Sequence, residues 1–317
     1  GSTTTDTAST TTTTGTGSTT TDTGSTTSTT VTTAGGGEED DRTTTTSVTA
    51  TLPAEVNRDV RAVGTVANGY YFNHDPRTFD IGHVEGLKIK TVVDDVISDT
   101  ATDVDTSKIT FSSVNNGSDN PMDTFELQTE DDFKTATFEK FVYTVNVLYD
   151  GKLLLDENGN QVQFKVFIGV KGDSNFDGAA DSTDASTVLV WYASNSTGGD
   201  RATTQFATSA DTFMESVTDE YIKSQLDELA AFLCDVDLDV YSEGNWKTSK
   251  ADRTIESTEA SFILAEYASV STGSNRFDAW NDAIPDREEL MKSSIPGTDL
   301  WDKLVAKQKG TSNNTNA

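Results

Sequence analysis

The sequence predicts an α+β multi-domain chain, in which an antiparallel β module precedes an α-helical module made of two loop–helix repeats. Three observations predict this fold class. Apolar and polar residues alternate between residues 141 and 170, the apolar spacing becomes helical after residue 171, and the segment that begins at Asp181 recurs without a gap at Glu256. The predicted divisions are a disordered Thr-rich linker at 1–47, the β-rich module at 48–170, the helical module at 171–308 and a disordered tail at 309–317.

Composition excludes several classes of function. The chain has 317 residues and a formal net charge of −29, from 52 acidic and 23 basic side chains. Such a charge repels nucleic acid and anionic membrane surfaces, which bind clustered Lys and Arg, and it attracts divalent cations. No stretch is long and apolar enough for membrane insertion. Cys234 is the one cysteine, so no disulfide can form within the chain.

Residues 1–47 are mainly Thr, Ser and Gly. They can bury little apolar surface to offset the entropy lost on ordering, so we expect a disordered linker. Because the sequence begins at Gly1 without an initiator Met or a signal peptide, we expect a fragment of a longer secreted protein.

Two segments of period 2 predict the β-rich module. Apolar residues occupy the odd positions from Phe141 to Tyr149 and the even positions from Val162 to Val170, as in half-buried strands. No polar cluster in this module suggests catalysis, so we expect a structural role. Further strands are predicted at Gly69–Phe72, Leu87–Val93, Lys108–Ser113 and Thr124–Gln128.

The segment from Asp173 to Asp184 has the length and spacing of a calcium loop, with Gly178 at the sixth position, where such a loop turns sharply. Calcium takes six to eight hard oxygen ligands, and carboxylates crowded together without an ion would repel one another. An acidic loop of Asx turns without an ion is the alternative. The predicted ligands, with the backbone carbonyl at the seventh position, are Asp173, Asn175, Asp177, Ala179, Asp181 and Asp184.

The helix predicted after this loop has a second copy, because Asp181–Ser194 aligns with Glu256–Ser269 and more than half of the aligned residues are identical. One face of each helix is apolar, and we expect the two stripes to pack on each other as core. Further helices are predicted from Val217 to Leu233, at 288–292 and at 300–307. The two stripes are Ala185, Val188, Leu189 and Tyr192, and Ala260, Ile263, Leu264 and Tyr267.

The second calcium loop is irregular. An insertion, roughly from Val240 to Asp252, separates its start from its end, and Arg253 stands where a glycine is expected. Because a long insertion closes at a modest cost in entropy, a second calcium ion is still predicted. The predicted ligands, with Asp239 and Asp252 as alternatives for the fifth position, are Asp235, Asp237, Asp239, Asp252, Thr254, Glu256 and Glu259.

This arrangement resembles the X-module–dockerin dyads of ruminococcal-type cellulosomes, the type III class. Besides the duplicated loop–helix unit and the inserted second loop, the matching segments are Gly69–Asn73, Val166–Asp173, Trp191–Ser194 and Leu300–Asp302. The first loop ends in Asp rather than Glu and follows a predicted strand rather than a helix, which separates it from EF-hand sensors. Ala180, where the family usually has a β-branched residue, and Arg253 depart from the family pattern.

The resemblance implies an extracellular, non-catalytic docking module that needs two calcium ions. In that family the X-module supports the dockerin, and the pair binds a cohesin of a cell-surface anchoring scaffoldin. The positions that would contact the cohesin are Ser182, Thr183, Thr187, Val190, Trp191, Ser257, Thr258, Phe262, Ala265 and Glu266.

Trp191 is the expected anchor of that interface, unless it packs on the β module or on the C-terminal segment. Val190 and Trp191 of the first copy correspond to Ala265 and Glu266 of the second. A half-turn of the partner would therefore place a carboxylate against a surface made for apolar side chains, which costs several kcal/mol. The sequence predicts a single binding orientation.

Two other interpretations stay open at this point. The chain could be the dockerin-bearing part of a secreted glycan-degrading enzyme whose catalytic module lies upstream of Gly1. Alternatively, Tyr70, Tyr71 and Phe72 could form a platform on which a sugar ring stacks, although aromatic residues in a strand more often belong to a core.

Overall fold

The computed structural model describes residues 55–73, 79–113, 141–206, 217–237 and 244–294, a strand pair at 29–31 and 46–48, and residue 305. The chain divides into two units at Glu55–Val56. In the first unit, Thr29–Val31 (β1) pairs antiparallel with Thr46–Val48 (β2), in and next to the predicted linker. The rest of that linker, the predicted strand Thr124–Gln128, the segment 300–307 apart from residue 305, and the predicted tail lie outside the described residues.

The described residues of the second unit form two sheets. Its strands are Val60–Gly64 (β3), Gly69–Phe72 (β4), Leu87–Val93 (β5), Val96–Ile97 (β6), Thr102–Asp103 (β7), Ile109–Ser113 (β8), Val142–Tyr149 (β9), Lys152–Leu153 (β10) and Gln163–Gly169 (β11). In the larger sheet β11 lies between β9 and β4, and β9 also pairs with β8 and β10. In the smaller sheet β5 pairs antiparallel with β3, β6 and β7.

The alternating pattern is confirmed in β9, which buries Tyr143, Val145, Val147 and Tyr149 and leaves the residues between them half-buried. The prediction of an antiparallel module is wrong for β4, which runs parallel to β11. Parallel neighbours need a long connection, and the chain between these two strands supplies one that contains β5, β6 and β7 of the smaller sheet and β8, β9 and β10 of the larger.

Five helices follow in the described residues: Ser182–Ser196 (α1), Glu220–Cys234 (α2), Ser257–Ser271 (α3), Arg276–Ala283 (α4) and Arg287–Ser294 (α5). α1 packs against α3, and α3 against α4. Of the helices that the structure describes, none is both long enough and apolar enough to span a membrane.

α2 packs on the larger sheet of the β module. A Cβ atom at Gly169, in β11, would lie 2.4 Å from Leu233 Cδ1, so only glycine allows this helix to approach the strand so closely. The Phe232 ring stacks on Phe72 of β4 with 4.6 Å between the ring centroids. β11 is therefore buried on both faces for most of its length, which explains why Phe167 is buried as well as the alternating positions.

The insertion of the second loop also contacts the β module. Trp246, in the short 3₁₀ helix Asn245–Lys247, stacks on His83 at a centroid distance of 3.9 Å, and His83 in turn stacks on Phe164 at 4.0 Å. The indole Nε1 of Trp246 donates to Asp80 Oδ2 over 3.2 Å. Because His83 and Trp246 are both buried, this three-ring stack joins the insertion to the sheet.

We expect Trp246→Ala to lower the free energy of unfolding by about 3–5 kcal/mol, because it removes a buried aromatic side chain and leaves a cavity at this contact. Urea unfolding followed by far-UV circular dichroism measures the loss. Val96→Ala is the control, since this side chain is 68% exposed and its loss should change stability by less than about 0.5 kcal/mol. Equal small losses for both variants would contradict the structural role of the insertion.

Candidate functional site

The first loop folds around the carboxylate of Asp173. Its Oδ2 accepts a hydrogen bond from the Gly178 amide over 2.8 Å, and its Oδ1 accepts from the Asp177 amide over 3.2 Å. Gly178 has a φ of +81°, a conformation that glycine adopts without strain. Asn175 Oδ1 accepts from the Asp177 amide over 3.0 Å, and Asp177 Oδ1 accepts from the Ala179 amide over 2.9 Å. These hydrogen bonds connect the predicted ligands at the first, third and fifth positions through the backbone of the loop.

Asp184 closes the loop. Its Oδ1 accepts from the amide and the hydroxyl of Ser174, each over 2.8 Å, and its Oδ2 accepts from the Asp181 amide over 2.8 Å. The Asp181 carboxylate accepts from the Thr183 amide, so the two aspartates form a capping box at the start of α1. The last predicted ligand of the loop is therefore held by both the start of the loop and the first turn of the helix.

The first loop buries negative charge without a basic partner. Asp173 and Asp184 are both fully buried, and no Lys or Arg of the described residues forms an ion pair with either carboxylate. Burial, with the nearby charges of Asp184 and Asp177, holds the pKa of Asp173 well above its usual range. Burial likewise raises the pKa of Asp184 to about 6. A cation close to the two carboxylates would stabilise their ionised form.

The donor chemistry of the first loop fits calcium, since it consists of carboxylate, amide and carbonyl oxygens. Within the part of the chain that the structure describes, no group of three or more His, Cys, Asp or Glu side chains converges as a preformed metal centre. The carboxylates of the first loop instead accept hydrogen bonds from backbone amides. An ion held there would draw its ligands from the same oxygens, together with Asn175 and the Ala179 carbonyl.

In the second loop an arginine meets the first carboxylate. Arg253 Nη1 donates to Asp235 Oδ2 over 2.8 Å and to Asn245 Oδ1 over 2.7 Å, and Nη2 donates to the Asn245 carbonyl over 2.9 Å. The guanidinium lies over the Phe232 ring and is 1% exposed. Burial raises the pKa of Asp235 to about 6 and lowers that of Arg253, while each charge opposes the shift of the other. The position expected to hold a turn glycine therefore supplies a buried cation.

The remaining predicted ligands of the second loop are only partly brought together. Glu259 is buried and accepts from the Glu256 amide over 2.6 Å, which forms the capping box of α3. Burial, with the charges of Asp237 and Asp235, raises the pKa of Glu259 to about 7. Asp252 and Thr254 are exposed, and the Asp252 carboxylate accepts from the Ser249 hydroxyl. Asp239 lies outside the described residues.

The predicted partner-binding residues separate into exposed and buried groups. Phe262 is half-buried. The exposed residues are Ser182, Thr183, Val190, Ser257, Thr258 and Ala265. The buried residues are Thr187, Trp191 and Glu266.

The expectation that Trp191 and Glu266 face outward is wrong. The Trp191 ring packs against Phe206 at a centroid distance of 5.1 Å, and the Lys250 ammonium lies 5.6 Å from its centroid. Glu266 accepts from Arg276 Nη1 over 2.8 Å. Segments that follow each repeated helix cover these faces, and those segments differ between the two copies.

The predicted core stripes of the repeated helices are too wide. Ala185, Val188, Ala260 and Ile263 are buried as predicted. Leu189, Tyr192, Leu264 and Tyr267, predicted as core, are instead 40–44% exposed. The burial of the two helices is thus confined to the narrower part of each stripe, and an apolar surface that periodicity assigned to the core is exposed to solvent.

No protein-family model matches the chain, and none of the curated proteins searched is similar to it.

We expect Arg253→Gln to destabilise the protein by about 3–5 kcal/mol in EDTA, because it leaves the Asp235 carboxylate buried without a compensating charge. Urea unfolding measures the loss, and the double variant Asp235→Asn/Arg253→Gln should recover part of it. Lys292→Gln is the control: its pair with Glu288 is about half exposed and should contribute less than about 0.5 kcal/mol. A loss below about 1 kcal/mol for Arg253→Gln would show that the ion pair has no stabilising role.

Proposed function

We propose that the chain is a calcium-dependent, non-catalytic docking module that attaches its parent secreted protein to a cohesin on a cell-surface scaffoldin. One observation carries the proposal: two equivalent loop–helix units, each begun by an acidic capping box, pack together and expose apolar residues at equivalent positions. That duplication is the feature on which the resemblance to type III dockerins rests. The exposed apolar residues give the pair of helices a surface suited to protein contact.

Calcium in the first loop supports the docking role. Asp173, Asn175, Asp177, the Ala179 carbonyl, Asp181 and Asp184 would hold the ion. The ion would supply the positive charge that two buried carboxylates lack among the described residues. Since Asp184 also lies in the first turn of α1, an ion held there would stabilise the first turn of a helix that carries half of the exposed apolar surface.

A second ion in the second loop stays a prediction. A cation would offset the burial that raises the pKa of Asp235 and of Glu259, but Arg253 already neutralises Asp235. We expect the second loop to bind calcium more weakly than the first, because its first ligand would have to exchange a guanidinium for the ion.

The β module is proposed to support the docking surface rather than to bind sugar. Tyr70, Tyr71 and Phe72 are all buried, so they do not form a platform on which a sugar ring could stack. Tyr70 and Phe72 pack instead on Phe232 of α2. Together with Trp246, these contacts give the helices a rigid base.

Two parent proteins fit this proposal. A cellulose-binding protein or scaffoldin would be attached to the cell surface, whereas a glycan-degrading enzyme would carry its catalytic module outside this sequence. The docking chemistry is the same in both, and catalysis is no part of the function proposed for these residues.

The test is the binding of the chain to a panel of immobilised cohesins in millimolar calcium and in EDTA, measured by biolayer interferometry. We expect at least one cohesin to bind in calcium, and its affinity to fall more than about a hundredfold in EDTA and in Asp173→Asn/Asp184→Asn. Asp99→Asn, an exposed residue outside both loops, is the control and should bind as the unaltered chain does. A folded chain that binds no cohesin, or binds equally well in EDTA, would overturn the proposal.

A further inference from the structure

Phe176, at the fourth position of the first loop, has a backbone conformation that bulky residues rarely adopt. Its φ is +61°. Among the described residues, four other non-glycine residues have a positive φ, and all four are aspartates. The short side chain of aspartate tolerates this left-handed region, whereas an aromatic side chain there is a genuine outlier. Contacts outside the residue must therefore stabilise the turn at Phe176.

The β module supplies such a contact. Phe176 is 4% exposed, and its ring meets the Phe141 ring edge-on at a centroid distance of 5.5 Å. Phe141 is fully buried and directly precedes β9. The neighbours of Phe176 in the loop are more open to water, since Asn175 is half-buried and Asp177 is exposed. The middle of a largely polar loop is thus inserted into the hydrophobic core that contains Phe141.

The turn at Phe176 also arranges the predicted ligands. Asn175 and Asp177, at the third and fifth positions of the loop, flank it. The Asp177 amide follows the turn directly and donates to Asn175 Oδ1 over 3.0 Å and to Asp173 Oδ1 over 3.2 Å. A change of Phe176 to a negative φ would redirect this amide and the Asp177 carboxylate relative to Asp173 and Asn175. The contact with Phe141 and the arrangement of three predicted ligands therefore depend on one backbone angle.

This dependence has a consequence for the binding of an ion. Calcium needs several oxygen ligands at fixed distances from one point, and a loop that must reorganise to provide them binds more weakly than one already in place. The left-handed turn is unfavourable for an isolated phenylalanine, and burial of the ring beside Phe141 offsets that cost before an ion arrives. The coupling is reciprocal, since an ion that stabilises the turn also favours the insertion of Phe176 into the core.

We infer that Phe176 is a positioning residue for calcium, through which the β module sets the affinity of the first loop for its ion. This deepens the proposed function and rests on it. The β module then does more than support the helices, because its core holds the ligand loop in the conformation that the ion requires. A phenylalanine that served only to fill the core would affect stability and leave calcium affinity unchanged.

The first test is a calorimetric titration with calcium at pH 7 of the unaltered chain, Phe176→Ala and Phe176→Leu. We expect Phe176→Ala to weaken the tight site by about tenfold or more, because the turn loses the burial that holds it. Phe176→Leu keeps an apolar side chain of similar size, so its affinity should lie within about threefold of the unaltered chain. Circular dichroism checks that each variant is folded.

The second test changes the core and leaves the loop sequence intact. Phe141→Ala removes the partner of Phe176, and we expect it to weaken calcium binding about as much as Phe176→Ala does. The double variant should bind no more weakly than either single variant, because both changes remove the same contact. Phe111→Ala is the matched control: this buried phenylalanine of β8 packs on Phe79 and Phe164, and its loss should leave calcium affinity unchanged.

The outcomes separate this inference from the proposed function. A tight calcium site whose affinity changes less than about twofold in Phe176→Ala overturns the positioning role and leaves calcium-dependent docking intact. The same holds if Phe111→Ala weakens binding as much as Phe141→Ala. Absence of a tight calcium site in the unaltered chain overturns both. The two Phe176 variants decide the question if Phe141→Ala does not fold.

Discussion

Each of the two loops begins with an aspartate, Asp173 or Asp235, whose carboxylate is removed from water. A buried carboxylate is costly unless a positive charge or several hydrogen bonds compensate it, so the surroundings of these two groups govern what else can form. In the second loop the compensation is internal, since Arg253 pairs with Asp235 and reaches across to Asn245 of the insertion. In the first loop only amides and the Ser174 hydroxyl meet the carboxylates of Asp173 and Asp184, and no basic residue of the described part pairs with them. The two loops thus compensate a buried aspartate in different ways.

This constraint connects the loops to both the β module and the helices. Asp173 follows β11 almost directly, and the Gly172 amide between them donates to the Leu233 carbonyl of α2 over 2.7 Å. Asn245, which Arg253 holds, begins the short helix in which Trp246 stacks on His83 of the β module. Each loop also ends in the capping box of a repeated helix, so the charge at the start of a loop is linked through a few contacts to the helix that carries the exposed apolar residues. Direct contacts therefore connect the β module, the two loops and the repeated helices.

Several strands and the first loop could be predicted from the sequence, because each depends on the order of residues within one short segment. Period 2 located β9 and β11 to within a residue, the strands predicted at Gly69–Phe72 and Leu87–Val93 coincide with β4 and β5, and the positions of acidic residues and Gly178 located the first loop. The parallel pairing of β4 with β11 could not be predicted, since strand order depends on contacts between distant segments. For the same reason helical spacing placed Trp191 outside and Leu189 inside, whereas Phe206 covers the former and nothing in α3 covers the latter fully. The sequence showed that Arg253 stands where a glycine is expected. It could not show that Arg253 pairs with Asp235, because that contact depends on how the insertion folds.

The most direct test of the account is a calorimetric titration of the chain with calcium at pH 7, compared between the unaltered chain, Asp173→Asn and the control Asp99→Asn. The account predicts a tight site that the control retains and Asp173→Asn loses, because Asp173 is the buried carboxylate that lacks a basic partner in the described structure. Any weaker site that remains in Asp173→Asn would belong to the loop that Arg253 already neutralises. Absence of a tight site in the unaltered chain, or a tight site that survives Asp173→Asn unchanged, would contradict the account.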